Sequence, residues 1–113
     1  KSQCGSCSVM LDGNRVFSCQ TSANSAAGRS VTTVEGLLED GEPNALQRAM
    51  IEEQAAQCGY CSAGIIIAAQ ALLDTNPEPS EAEVRTALNG NLCRCGTQNR
   101  VVRAVLRAAQ EGA

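Results

Sequence analysis

Seven cysteines fall into two groups along this 113-residue chain: Cys4, Cys7 and Cys19, spaced C-x₂-C-x₁₁-C, and Cys58, Cys61, Cys93 and Cys95, spaced C-x₂-C-x₃₁-C-x-C. So many thiols in so short a chain point to disulfides or to metal. Composition shows why such help is needed. The apolar residues include 17 Ala but only one Phe, one Tyr and no Trp. A core built from them is thin, and small domains with thin cores rely on disulfides, metal or a partner chain. The chain has no His, which excludes His-based acid–base chemistry, Cys₂His₂ zinc fingers and Ser-His-Asp triads from this chain alone. A net charge of −3 argues against non-specific nucleic-acid binding. The longest apolar stretch, residues 63–69, is far too short to span a membrane. No secretory signal opens the chain, and a cytoplasmic location is expected, with a periplasmic or membrane-associated complex, reached through partner subunits, as the alternative.

The hydrophobic pattern changes near residues 36–44. Before that point the chain reads as loop and strand. Residues 8–11 and 15–17 are strand-like, and Asp12-Gly13-Asn14 between them is a hairpin signal. Residues 21–30 are small and polar and read as a loop. Residues 31–34, with Thr32 and Thr33, suit another strand. After Pro43-Asn44 the pattern turns helical, with Leu46, Met50 and Ile51 as the first apolar stripe. Residues 61–75 form a second helix with Ile65, Ile66, Ala69, Leu72 and Leu73 facing inward, stopped by Asn76-Pro77. Ser80 and Glu83 form a capping box ahead of Val84, Ala87 and Leu88, and Asn89-Gly90-Asn91 ends that third helix. Residues 99–109 make a fourth, with Val101, Val102, Val105, Leu106 and Ala109 on one side. The expected fold class is α+β, with residues 1–40 forming one unit and 41–113 a helical one. Charge divides as well. Arg85, Arg94, Arg100, Arg103 and Arg107 crowd the C-terminal stretch against Glu111 alone. They read either as a solvated helix face or as a surface beside something anionic.

Each cysteine group lies within one unit, which suggests one site per unit. Disulfides fit poorly, because seven is odd and C-x₂-C pairs are poor bridges across long loops. A redox C-x-x-C at Cys58-Gly59-Tyr60-Cys61 would gain from a helix N-terminus. It would have to follow a buried strand, however, whereas Gln54-Ala55-Ala56-Gln57 reads as a helical tail, and it leaves Cys93 and Cys95 unexplained. Four thiolates on zinc or on an iron–sulfur cluster account for all four. The first group favours iron–sulfur. Plant-type [2Fe-2S] spacing is C-x₄-C-x₂-C followed by a later Cys, and Cys4, Cys7 and Cys19 match its last three positions. The remaining ligand is then expected just upstream of Lys1. Small residues in Cys4-Gly5-Ser6-Cys7 would let backbone N–H groups approach sulfide. A zinc-stabilised interaction module and a free-standing ferredoxin are the competing classes.

The chain resembles the small iron–sulfur subunit of molybdenum hydroxylases, the xanthine dehydrogenase family. The resemblance is carried by Cys4-Gly5-Ser6-Cys7, Leu11-Asp12-Gly13, Ser18-Cys19, Val31-Thr32-Thr33-Val34-Glu35-Gly36-Leu37, Gln57-Cys58-Gly59-Tyr60-Cys61 with Gly64, Ala71-Leu72-Leu73 with Asn76-Pro77, and Gly90-Asn91-Leu92-Cys93-Arg94-Cys95-Gly96. It implies the remnant of a plant-type ferredoxin β-grasp domain, lacking about 40 opening residues, followed by a four-helix [2Fe-2S] domain. It further implies two [2Fe-2S] clusters, with Cys58, Cys61, Cys93 and Cys95 ligating the one nearest molybdenum and Cys4, Cys7 and Cys19 the outer one. Gln57 and Cys95 match the positions that contact the pterin amine. The molybdopterin itself would be bound by a large partner subunit, where hydroxylation occurs, and electrons would leave to a flavin or cytochrome subunit or another acceptor. Many members continue Cys-Arg-Cys with Thr-Gly-Tyr. Here Gly96-Thr97-Gln98-Asn99-Arg100 follows, a variant similar to nicotinate- or isoquinoline-type and aldehyde-oxidising bacterial enzymes.

Overall fold

The computed structural model describes residues 4–92 and 96–112. Strand β1 (Ser8–Leu11) and strand β2 (Asn14–Phe17) pair antiparallel, with Ser8 opposite Phe17 and Leu11 opposite Asn14. Only Asp12 and Gly13 link them, with φ of 51° and 85°. Positive φ at both central residues is the two-residue turn whose twist matches a hairpin. A two-residue strand β3 (Val31–Thr32) joins the other edge of β1, giving the order β2-β1-β3. Asp12 ties that edge down. Its carboxylate accepts from Arg29 Nε at 2.7 Å and from the Ser30 N–H at 2.9 Å, and these bonds hold its pKa below the usual carboxylate value.

Two expectations for this region need correction. The stretch 21–30 is not all loop: helix α1 (Ala23–Ala26) makes one turn capped by Ser22, whose side chain accepts from the Ser25 N–H. Strand β3 ends at Thr32, and Val34–Leu37 is a 3₁₀ turn. A Cβ on Gly36 would lie 2.8 Å from Thr32 Cγ2, so a larger residue there would force the Thr32 side chain to shift.

The helices follow: α2 (Ala45–Glu52), α3 (Ser62–Thr75), α4 (Glu81–Ala87) and α5 (Gln98–Gln110). Their starts are set locally. Asn44 with Gln47, and Ser80 with Glu83, form complete capping boxes. Asn44 Nδ2 also donates to buried Gln70 Oε1 on α3 at 3.0 Å. Asn44→Ala removes a cap and strips a buried acceptor of its donor. It should cost about 2 kcal/mol, read as a lower denaturation midpoint at unchanged slope.

The core cluster is built mainly from Leu46, Met50, Ile65, Leu73, Val84, Val101 and Val105, filled in by alanines. Helix α5 lies on α2, while α3 lies between β1 on one side and α2 and α4 on the other. That placement corrects the expected stripe on α3. Gly64, Ile65, Ile67, Ala68, Ala69, Gln70 and Leu73 are buried there, whereas Ile66 and Leu72 are only partly covered. A single-stripe reading assumes one covered face, and α3 has two. On α2, Ala49 is buried and Ile51 is 67% exposed.

Helix α2 also ends earlier than the pattern suggests. Gln54 has φ of 53°, the Gln54 N–H donates to Ile51 O, and the Ala55 N–H donates to Met50 O. This is the Schellman arrangement, normally built on Gly. Residues 54–57 are therefore not a helical tail. Arg85, Arg103 and Arg107 of the basic C-terminal stretch are paired on a solvated face, and Arg94 lies outside the described residues. Arg103 and Arg107 reach Glu53 at 3.4 and 3.1 Å, and Arg85 reaches Glu81 at 3.1 Å. Exposed pairs of this kind contribute little each.

Candidate metal centre

The hairpin explains how Cys7 and Cys19 meet across eleven intervening residues. Cys7 precedes β1 and Cys19 follows β2, so the strand register returns the chain to its starting point. Cys7 O accepts from the Ser18 N–H at 3.2 Å and from Ser18 Oγ at 2.8 Å, and the Cys19 N–H points at Cys7 Sγ at 3.5 Å. The third member of the group, Cys4, directly precedes a tight turn in which the Ser8 N–H donates to Gly5 O at 3.1 Å. The backbone and hydroxyl of Ser6 hydrogen-bond the Cys4 thiol and hold it below its ordinary pKa, against desolvation and the charge of Cys19. A lowered pKa favours the thiolate, the form that binds metal.

The second group is placed by the end of α2. The Schellman turn buries Ala55 and releases the chain into an exposed loop carrying Gln57 and Cys58. Gly59, at φ 84°, turns it back. Cys61 is buried and occupies the N-cap position of α3. The unpaired amides of a helix N-terminus place partial positive charge there, which suits an anionic centre.

Cys4, Cys58 and Cys61, with Tyr60 and Leu92, line one cleft of about 470 Å³. Cys4 thus borders the same cleft as two cysteines of the other group, which its place in the sequence does not indicate. Cys93 and Cys95 lie outside the described residues. No disulfide joins any two of the described cysteines. Among the described residues, no three Cys, His, Asp or Glu side chains converge as ligands of a single ion. A two-iron cluster makes a different demand, because it spreads four thiolates over two metals. Soft sulfur donors, no imidazole, an N–H group directed at the Cys7 Sγ and a helix N-terminus at Cys61 fit such a cluster. A larger groove of about 660 Å³, lined by Leu38, Met50, Ile51 and Ile66 among others, contains no cysteine.

The profile of the [2Fe-2S] binding domain matches residues 33–106. The chain belongs to that family. It is of the small iron–sulfur type found in molybdenum hydroxylases. It is 52% identical to one subunit of the nicotinate dehydrogenase of Pseudomonas putida, over 96% of this chain and 69% of that one. It is 49% identical to the alpha subunit of the isoquinoline 1-oxidoreductase of Brevundimonas diminuta, over 97% and 72%. Among solved structures, it superposes on quinoline 2-oxidoreductase from Pseudomonas putida 86 with a TM-score of 0.87 and 43% identity, covering 99% of this chain and 72% of that one. Like the fold of this family, the chain combines helices with a small antiparallel sheet. None of its described helices is long and apolar enough to cross a membrane.

Proposed function

We propose that this chain is the electron-transfer subunit of a molybdenum hydroxylase, holding two [2Fe-2S] clusters between a partner subunit's molybdopterin centre and an external acceptor. The observation that carries this reading is the placement of the cysteines. Cys58 and Cys61 stand at the head of α3, and Cys7 and Cys19 meet at the open end of the hairpin, with Cys4 directly before the turn that leads into it. Cys58 and Cys61, with Cys93 and Cys95, hold the cluster nearest molybdenum, and Cys4, Cys7 and Cys19 hold the outer one. When bound, such clusters supply one-electron carriers. The chain's own part is to present thiolates, offset their charge with N–H groups and the α3 terminus, and exclude water.

In this reading residues 1–40 are the ferredoxin-like remnant, and α2 to α5 make the four-helix cluster domain. Gln57 and Cys95 face the pterin. Gln57 is exposed, and its amide can both donate and accept. The partner is a large molybdopterin-binding subunit. Tyr60 and Leu92, 76% and 55% exposed at the cysteine cleft, favour a protein surface there over water. A flavin subunit, a cytochrome subunit or another acceptor takes the electrons onward. The relatives' names, nicotinate dehydrogenase and isoquinoline 1-oxidoreductase, support an N-heteroaromatic substrate for the assembled enzyme.

Visible absorption and EPR test the reading. The purified full-length subunit should be brown, bleach with dithionite, contain about four irons and show two reduced-cluster signals. A colourless protein holding stoichiometric zinc would establish the interaction-module alternative instead.

A further inference from the structure

The two cysteine sites meet at a backbone junction centred on Gly5. Gly5 O accepts from the Ser8 N–H at 3.1 Å, from Ser8 Oγ at 2.7 Å and from Asn91 Nδ2 at 3.0 Å. The neighbouring carbonyl, Cys4 O, accepts from the Leu92 N–H at 2.8 Å. Residues 91 and 92 therefore grip the first cysteine loop on two consecutive carbonyls, across 86 residues of sequence. On the other side stands Gly64, inside α3 and three residues after Cys61. A Cβ on Gly64 would overlap Gly5 O and lie 2.8 Å from Ser6 Cα. Both are backbone atoms that cannot swing aside. Gly5 is equally confined: at φ 78° a Cβ would lie 2.5 Å from Gly90 O and 2.6 Å from Asn91 Nδ2.

Glycine is a poor residue inside a helix, so α3 by itself would be better served by Ala at position 64. The close approach of the cysteine loop accounts for Gly there. Asn91 points the same way. Its Oδ1 is buried and, among the described residues, unpartnered. A buried unpaired acceptor is costly, which argues that Asn91 is present for the hydrogen bond its Nδ2 donates.

We infer that Gly64 and Asn91 are positioning residues for the outer cluster. By fixing the Gly5 carbonyl they set Cys4 and Cys7 in place, so helix α3 and residue 91 control whether the hairpin site retains its iron. This rests on the iron–sulfur reading above. Gly64→Ala would push the loop outward while leaving the backbone of α3, and Cys61 at its head, undisturbed.

The test is EPR, iron content and far-UV circular dichroism on the full-length subunit in its complex. Gly64→Ala should lose one of the two cluster signals and about half the iron, with helical content and the other signal retained. Asn91→Ala, a milder change, should release iron from that same site to a chelator at least about tenfold faster. Two undiminished signals in Gly64→Ala, or loss of both signals together with helicity, would overturn the inference, as would unchanged iron release in Asn91→Ala. A wild-type subunit without reducible iron would overturn the iron–sulfur reading and this inference with it.

Discussion

Cys58→Ser should abolish one of the two cluster signals and reduce electron transfer from the partner's molybdenum centre to background. Cys58 is exposed, so replacing its sulfur with oxygen removes a ligand with little cost to packing. The fold should therefore survive, and loss of the signal would report ligation and not unfolding. The outer-cluster signal should still appear when dithionite is supplied directly. It should fail to appear when electrons must come from substrate, because the cluster nearest molybdenum would no longer connect the two. Anaerobic substrate titration against dithionite titration separates these cases. Full substrate reduction of both clusters in Cys58→Ser would remove Cys58 from the ligand set.

Leu46→Ala should be the most damaging single change in the core. Leu46 is fully buried and sits on α2 where α5 packs. The core cluster it belongs to is rich in alanines and valines, whose short side chains fill little of the space left behind. The cavity cost therefore adds to the lost transfer energy, for a total of about 3–5 kcal/mol. In a domain of this size the melting temperature should fall by at least about 8 °C. Because α2 also ends in the turn that launches the Cys58 loop, iron retention should weaken with stability. A shift smaller than about 2 °C at unchanged cooperativity would show that the site collapses around the deletion.

The legible parts of the fold are those governed by near neighbours. Asp12-Gly13 makes its hairpin because both residues accept positive φ, and Ser80 with Glu83 opens α4 because the two side chains satisfy each other's backbone N–H groups. Asn76-Pro77 stops α3 for an equally local reason. The signal for the first capping box, Asn44 with Gln47, is present as well, a polar pair three residues apart. Gln54 is not legible. A left-handed helix end is normally marked by Gly, and here it is held by Ala55 buried beneath the turn and by Arg100 Nη1 donating to Gln54 O at 3.3 Å.

By itself the sequence determined the chemistry of this protein: which atoms are soft donors, how they are spaced and which short elements carry them. These properties belong to residue identity and to spacings within one hairpin or one helix start. The tertiary structure alone decided that α3 is buried on two faces, that Cys4 borders the cleft of Cys58 and Cys61, and that Gly5 and Gly64 press backbone against backbone. Each of these is a contact between segments distant along the chain. No local periodicity encodes them, because they exist only once the sheet and the helices share a core.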